Sequence, residues 1–257
     1  MPRPQRRGDY WQPGVRRKVP PPRRTRWLLR LLVTAGLLAL LALGGTWLYR
    51  SPFLTVRNVE VVGAETLDPA GIQVLAGLQG QSMFRLDLEG ARKYITKLPR
   101  VKGVSLERLW PNGVRITIEE RQPWGSWQVG DARYSVDDEG VILDGPPAPE
   151  GSPVIVHLES ERQFLAGERV DPGAIELAQR LLDSAPRSLG RAVVGLEYRD
   201  RDGLTVVLEG GLRATFGDVR DYEYKVTALY VLLETARQEQ VGVNSVDLRF
   251  GDRIAFR

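Results

Sequence analysis

Residues 31–49, LLVTAGLLALLALGGTWLY, run for 19 positions without a charged side chain. Wound as an α-helix they span roughly 28 Å, about the thickness of one hydrocarbon core. Trp27, Trp47 and Tyr49 stand at the two ends, where rings with one polar edge favour the headgroup region. Arg30 is close enough to an end to carry its guanidinium to the same interface. No face of the run is polar, which argues against a helix packed inside a soluble domain. A cleaved signal peptide, with Ala42 and Gly44 before the cut, fits less well. The charged region ahead of the run is about twice too long, and the apolar stretch exceeds the usual 7–15 residues. The expectation is a retained transmembrane helix over 27–49.

The charge distribution orients that helix. Ten of the 36 basic residues and one of the 32 acidic ones fall in residues 1–30, which leaves 26 basic against 31 acidic residues elsewhere. The sequence pI near 9.5 therefore belongs to the tail, and the remainder is mildly acidic. A basic groove for nucleic acid loses its support. Residues 1–26, rich in Pro and Arg, have too little apolar surface to offset ordering entropy, so a disordered basic tail is expected. The positive-inside rule places this tail in the cytoplasm and 51–257 outside, as in a single-pass type II protein. The chain has no cysteine and one histidine, His157. Disulfides, Cys-based zinc sites and Cys nucleophiles are thereby excluded. His157, between Val156 and Leu158, reads as a strand residue.

From residue 53 the periodicity changes. Val56, Val59 and Val61 lie in a β-branched run closed by Gly63, a strand and turn. Asp68-Pro69 supplies a helix N-cap and first residue, with Ile72, Leu75 and Ala76 at helical spacing until Gly80. A second helix begins at Asp87, carries Leu88, Ala91, Ile95 and Leu98, and stops at Pro99. Strands at 101–110 and 114–120 are joined by Pro111-Asn112-Gly113, a hairpin in which Gly113 is expected to take positive φ. The order β-α-α-β-β resembles a POTRA (polypeptide-transport-associated) domain over 53–121. The resemblance is carried by VRNVEVVGAETL at 56–67, GQSMFRLD at 80–87 and LPRVKGVSLERLWPNGVRITIEER at 98–121.

Beyond Pro123 come short runs at 126–129, 133–136, 141–143 and 154–157, separated by turn signals. Asp137-Asp138-Glu139-Gly140 reads as a hairpin loop rather than a carboxylate pair. Glu119 and Glu120, adjacent on a strand, face opposite ways. Asp171-Pro172 caps a helix expected to end near Pro186; strands follow at 192–198, 204–208 and 212–216, the last two joined by Glu209-Gly210-Gly211. Residues 219–238 read as an amphipathic helix with Tyr222, Val226, Leu229, Tyr230, Leu233 and Ala236 on one stripe. The chain closes with VNSVDLRFGDRIAFR and a strand at 254–256. The fold class is α+β, with one N-terminal transmembrane helix, a POTRA domain, and a mostly antiparallel β domain with two helices over 122–257.

A POTRA unit, a Glu-Arg-x-Pro junction at 120–123 and Val-Asp-Leu-Arg-Phe at 246–250, behind one membrane helix and a basic tail, resemble the bacterial cell-division family FtsQ/DivIB. The resemblance implies a non-enzymatic divisome scaffold at the division septum, without cofactor or metal, that binds FtsB/DivIC-like and FtsL-like proteins and helps control septum formation. It implies that the POTRA unit takes part in recruitment to the division site. It also places partner contacts at Arg249, Phe250, Arg253, Ile254, Ala255 and Phe256. The residues add a mechanism, since a strand at 253–257 with one edge unpaired can accept a partner strand. Alternation turns Arg249 away from Leu248 and Phe250, so it is expected to be free for an acidic partner side chain. The alternative is a membrane-anchored protein-translocation or chaperone-like module built on the POTRA unit. An outer-membrane barrel needs at least eight strands of about ten residues with an apolar outer face, which the short strands and two helices of 122–257 do not supply, and an anchored cell-wall enzyme lacks a nucleophile or base in a recognisable setting.

Overall fold

The computed structural model describes residues 23–49, 51–249 and 255–256. Helix α1 (Arg23–Tyr49) contains the apolar span Trp27–Tyr49. The helix begins at Arg23, so the expected disorder does not hold for 23–26, and the rest of that expectation lies outside the described residues. The side chains of the span are exposed all round. Its two threonine hydroxyls are satisfied within the helix, Thr34 donating to the Leu31 carbonyl and Thr46 to that of Leu43, each at 2.9 Å. An apolar helix whose threonines bond their own backbone is what a bilayer interior admits.

Residues 55–257 form the second compact unit of the chain. Its first part consists of β1 (Asn58–Val62), α2 (Pro69–Ala76), α3 (Leu88–Ile95), β2 (Val101–Leu109) and β3 (Gly113–Glu120). The strands order as β1-β3-β2, with β1 parallel and β2 antiparallel to β3. Asp68 accepts from the amides of Ala70 and Gly71 at 3.1 and 2.9 Å, and Asp87 from that of Gly90 at 2.8 Å. Both helices thus start where the sequence signals fall. Val114, Ile116 and Ile118 turn one face of β3 onto Ile72, Leu78, Met83 and Ile95, while Thr117 and Glu119 face solvent. The β2–β3 turn differs from the expectation. Gly113 does not adopt positive φ, and the turn carries a cis Trp110–Pro111 bond. Space favours glycine at 113, since a Cβ there would lie in tight contact, 3.1 Å from that of Leu109 and 3.2 Å from its carbonyl oxygen.

The remainder is a β-rich domain with two helices. Its strands are β4 (Gly125–Val129), β5 (Ala132–Val136), β6 (Val154–His157), β7 (Val193–Arg199), β8 (Gly203–Leu208), β9 (Arg213–Gly217), β10 (Ser245–Asp247) and β11 (Ala255–Phe256). They form one sheet in the order β11-β10-β9-β8-β7-β6-β4-β5. Four of its seven pairings are antiparallel; β4–β6, β6–β7 and β9–β10 are parallel. Helix α4 (Pro172–Ser188) packs against β7 and β8. Trp127, Ile155, Leu177, Leu181, Leu204 and Phe216 are fully or almost fully buried in this core.

Three sequence expectations shift here. Helix α4 continues through Pro186 to Ser188, because the Leu189 amide and the Ser188 hydroxyl bond the carbonyls of Ala185 and Ser184 and complete the last turn. Helix α5 (Tyr222–Glu239) starts three residues later than 219. Asp218 accepts from the Arg220 amide in a local turn, and Asp221 takes a left-handed φ of 54°. On α5, Tyr222, Val226 and Leu229 are buried and Tyr230 is exposed; Lys225 takes a place on the buried face.

The acidic loop 137–140 is more than a turn. Asp137 is fully buried and accepts at Oδ1 from the amides of Glu139 and Val141 at 3.0 and 2.7 Å. Its Oδ2 accepts from Arg121, whose Nη1 also reaches Glu139 Oε2 at 2.9 Å. Lys102 on β2 bonds Asp138 at 3.1 Å, and Arg100 Nε donates to the Asp144 carbonyl at 2.6 Å. Glu120, buried beside them, accepts from the amides of Glu65 and Thr66. The basic end of the three-stranded sheet is thereby fastened to the acidic loop of the eight-stranded one.

Candidate functional site

The sequence directs attention to the β10–β11 edge. Strand β10 adds to β9 in parallel, with Val246 beside Ala214 and Asp247 beside Thr215. The Leu248 amide continues the ladder by donating to the Thr215 carbonyl at 2.8 Å. Val246 and Leu248 are buried, whereas Ser245, Asp247 and Arg249 are only partly so, as period-two alternation requires. Strand β11 pairs antiparallel with β10, Val246 opposite Phe256 and Asp247 opposite Ala255. In the sheet order β11 is the outermost strand.

Arg249 is not free. Its guanidinium forks onto Asp247, Nε to Oδ1 at 2.9 Å and Nη2 to Oδ2 at 2.6 Å, while Nη1 donates to Asp202 Oδ1. The expectation fails because Asp202, at the β7–β8 turn, is brought across by the sheet to meet the end of β10. The ion pair holds the Asp247 carboxyl below the usual carboxylate range, against burial, and raises Arg249 further above its ordinary value. Of the other expected contact residues, Phe250, Arg253 and Ile254 lie outside the described residues. Ala255 and Phe256 are described by their backbone pairing alone.

Residues that sequence reasoning passed over build this corner. Gly203 has φ +69°, and a Cβ there would lie 2.2 Å from the Gly217 carbonyl oxygen; at Gly217, φ +75°, a Cβ would lie 3.0 Å from Arg249 Cγ. Two glycines therefore let the β7–β8 turn, the end of β9 and Arg249 close on one another. The Asp-Gly at 202–203 was the available signal. Buried Lys225 donates from Nζ to the carbonyls of Phe216 and Asp218, at 2.8 and 2.9 Å, and to Asp218 Oδ1 at 3.2 Å. Arg220 first, then Lys225, lower the Asp218 carboxyl. Between these groups lies a cleft of about 250 Å³ lined by Asp202, Gly203, Gly217, Asp218, Lys225 and Arg249 among others. Asp202 pairs with Arg249 and Asp218 with Lys225, an arrangement that fixes the backbone. Among the described residues no cluster of three or more His, Asp or Glu is placed to hold a metal ion.

His157 belongs to the core of the same domain. Its Nδ1 accepts from Trp127 Nε1 at 3.4 Å, and Nε2 lies 3.2 Å from Asp200 Oδ1. The ring packs edge-on to both Trp127 and Tyr198, with centroids 5.5 and 5.0 Å away. The Tyr198 hydroxyl, pushed up by burial and by Asp171, donates to Asp171 at 2.9 Å. No serine or threonine hydroxyl bonds to His157 among the described residues, so the geometry is that of a packed aromatic trio.

Two family models match the chain in sequence order. One, described as "POTRA domain, FtsQ-type", covers residues 54–121; the other, "Cell division protein FtsQ/DivIB, C-terminal", covers 125–249. The chain is 30% identical over 230 residues to the cell division protein FtsQ of Streptomyces coelicolor, covering 86% of this chain and 85% of that one. It is 31% identical over 238 residues to FtsQ of Streptomyces collinus, covering 89% of each. FtsQ of Hahella chejuensis is 32% identical over 235 residues, covering 88% of this chain and 75% of the relative. The three-stranded unit and the β-rich domain thus follow the order of the two matched models, and the chain belongs to the FtsQ family of cell division proteins.

Proposed function

We propose that this protein is a non-enzymatic divisome scaffold. The basic tail lies in the cytoplasm, α1 crosses the membrane, and the POTRA and β domains act outside, at the septum. There the β domain binds FtsB/DivIC-like and FtsL-like partners by strand addition at β11. One observation carries the reading: the sheet order ends on β11, and an outermost strand offers backbone donors and acceptors to a partner strand. The Arg249–Asp247–Asp202 cluster supports it, because it fixes the end of β10 on which β11 rests. Arg249 then serves the contact through geometry as well as charge.

The test is binding of the full chain, in nanodiscs, to the soluble parts of the FtsB/DivIC-like and FtsL-like proteins of the same cell. It is run beside a chain ending at Gly251, whose fold is checked by circular dichroism. Loss of binding on truncation is the expected result. Binding that survives truncation keeps the scaffold but moves its contact away from β11. Absence of binding by the intact chain refutes the reading and leaves the POTRA-based translocation or chaperone-like module as the alternative.

A further inference from the structure

The three-stranded unit has two unlike ends. At one, Arg100, Lys102 and Arg121 fasten it to the β-rich domain. At the other the chain leads in from the membrane helix. The Val56 amide donates to the Gln81 carbonyl at 2.9 Å, and the amides of Arg57 and Asn58 donate to the Asn112 carbonyl at 2.8 and 3.3 Å. Only residues 50–55 separate Tyr49, the end of the apolar span, from Val56. Six residues reach about 20 Å at full extension, and a turn of 3₁₀ helix at Pro52–Leu54 takes up part of that reach. A connection this short leaves the 80–86 loop and the 109–113 turn, bonded to the incoming strand, within reach of a bilayer interface.

That end displays an aromatic pair. Phe84 and Trp110 are 47% and 56% exposed, with ring centroids 5.4 Å apart and planes tilted by 58°. Arg57, Arg85 and Arg108 are exposed around them. Arg108 Nη2 also donates to the Leu86 carbonyl at 3.4 Å. Of the acids close by in sequence, Asp87 caps α3, Glu60 pairs with Arg115 and Glu89 with Arg92, and Glu107 points to the other face of β2 from Arg108. Half-exposed Trp and Phe rings suit a boundary with an apolar side and a wet side, and a cluster of arginines favours anionic headgroups. We propose that this end of the POTRA domain docks on the bilayer surface, with the Phe84 and Trp110 rings at headgroup level and the three arginines on anionic lipid. Docking would tie the POTRA domain to the membrane surface at a point additional to the chain connection. The proposal rests on insertion of Trp27–Tyr49 and not on which side of the membrane the domain lies.

The absence of cysteine permits single nitroxide labels on the full chain, introduced by Arg85→Cys, Leu38→Cys or Glu150→Cys. Each is placed in nanodiscs holding one copy, made of phosphatidylcholine with or without phosphatidylglycerol. The expected result is that the label at 85 loses collisions with a water-soluble nickel chelate and gains collisions with oxygen, relative to that at 150. Combining Phe84→Ser and Trp110→Ser should return it to the level at 150, and omitting phosphatidylglycerol should weaken the protection. A label at 85 as wet as that at 150, while that at 38 is deep, overturns the docking alone. A wet label at 38 overturns the anchor and the docking with it. Protection seen only with two copies per disc assigns the patch to a second copy of the chain and overturns the lipid reading.

Discussion

Replacing Asp137 with alanine tests whether the acidic loop is a structural joint. The carboxylate is fully buried, and it holds Arg121 together with the amides of Glu139 and Val141. Removing one partner of a buried ion pair costs about 3–5 kcal/mol. Glu139 Oε2 remains 2.9 Å from Arg121, which favours the low end, about 3 kcal/mol. The buried Val141 amide loses its side-chain acceptor, adding about 1 kcal/mol. The sum, about 4 kcal/mol, corresponds to a fall of roughly 10 °C in Tm for a unit of this size. Asp138, whose side chain is 56% exposed although it bonds Lys102, should cost less than about 1 kcal/mol when replaced by alanine. The assay is thermal unfolding of both variants in one detergent, followed by circular dichroism. Pairing Asp137→Leu with Arg121→Met should recover part of the loss, because both charges then leave the interior. Equal melting temperatures for D137A and D138A would refute the reasoning and reduce the joint to a solvated surface contact.

Two further perturbations test other parts of the argument. Burial pushes the Glu120 carboxyl up, but hydrogen bonds from the Thr66 hydroxyl and from the amides of Thr66, Glu65 and Leu67 outweigh it and leave the group below its ordinary value. Its contribution is therefore present above the unfolded value of about 4.3 and lost as pH falls through the folded one. Glu120→Gln should lower stability near neutrality and flatten the acid limb of a stability-against-pH curve, and an unchanged acid limb would count against the assignment. Gly203→Ala should damage the β8–β9 corner far more than Gly211→Ala. Both glycines have positive φ, but a Cβ at 203 meets the Gly217 carbonyl oxygen at 2.2 Å and one at 211 meets nothing within 4 Å. The left-handed backbone alone costs about 1–2 kcal/mol, so similar melting temperatures would show that the corner yields.

What could be read from the sequence was local. The apolar run, the Asp caps at 68, 87 and 171 and the alternation of 114–118 each act within a few residues, and each reappears in the fold. Pairings between distant segments left less trace. Strand β6 is only four residues long, and its own sequence does not reveal that it lies parallel to both β4 and β7. Ion pairs were hidden for a related reason. Alternation correctly turned Arg249 off the core face, but a charged side chain off the core is predicted to be solvated unless its partner is visible. Asp202 lies 47 positions away and reaches Arg249 only after β7, β8, β9 and β10 have assembled in register. Asp137 and Arg121, 16 apart, were hidden the same way: a carboxylate in an Asp-Asp-Glu-Gly turn gives no sign that its own backbone will fold around it. The corner that supports β11 is built from pairings between distant segments, so it depends on the whole sheet. A substitution at Gly203 should therefore weaken partner binding without touching the partner, provided that β11 is the contact.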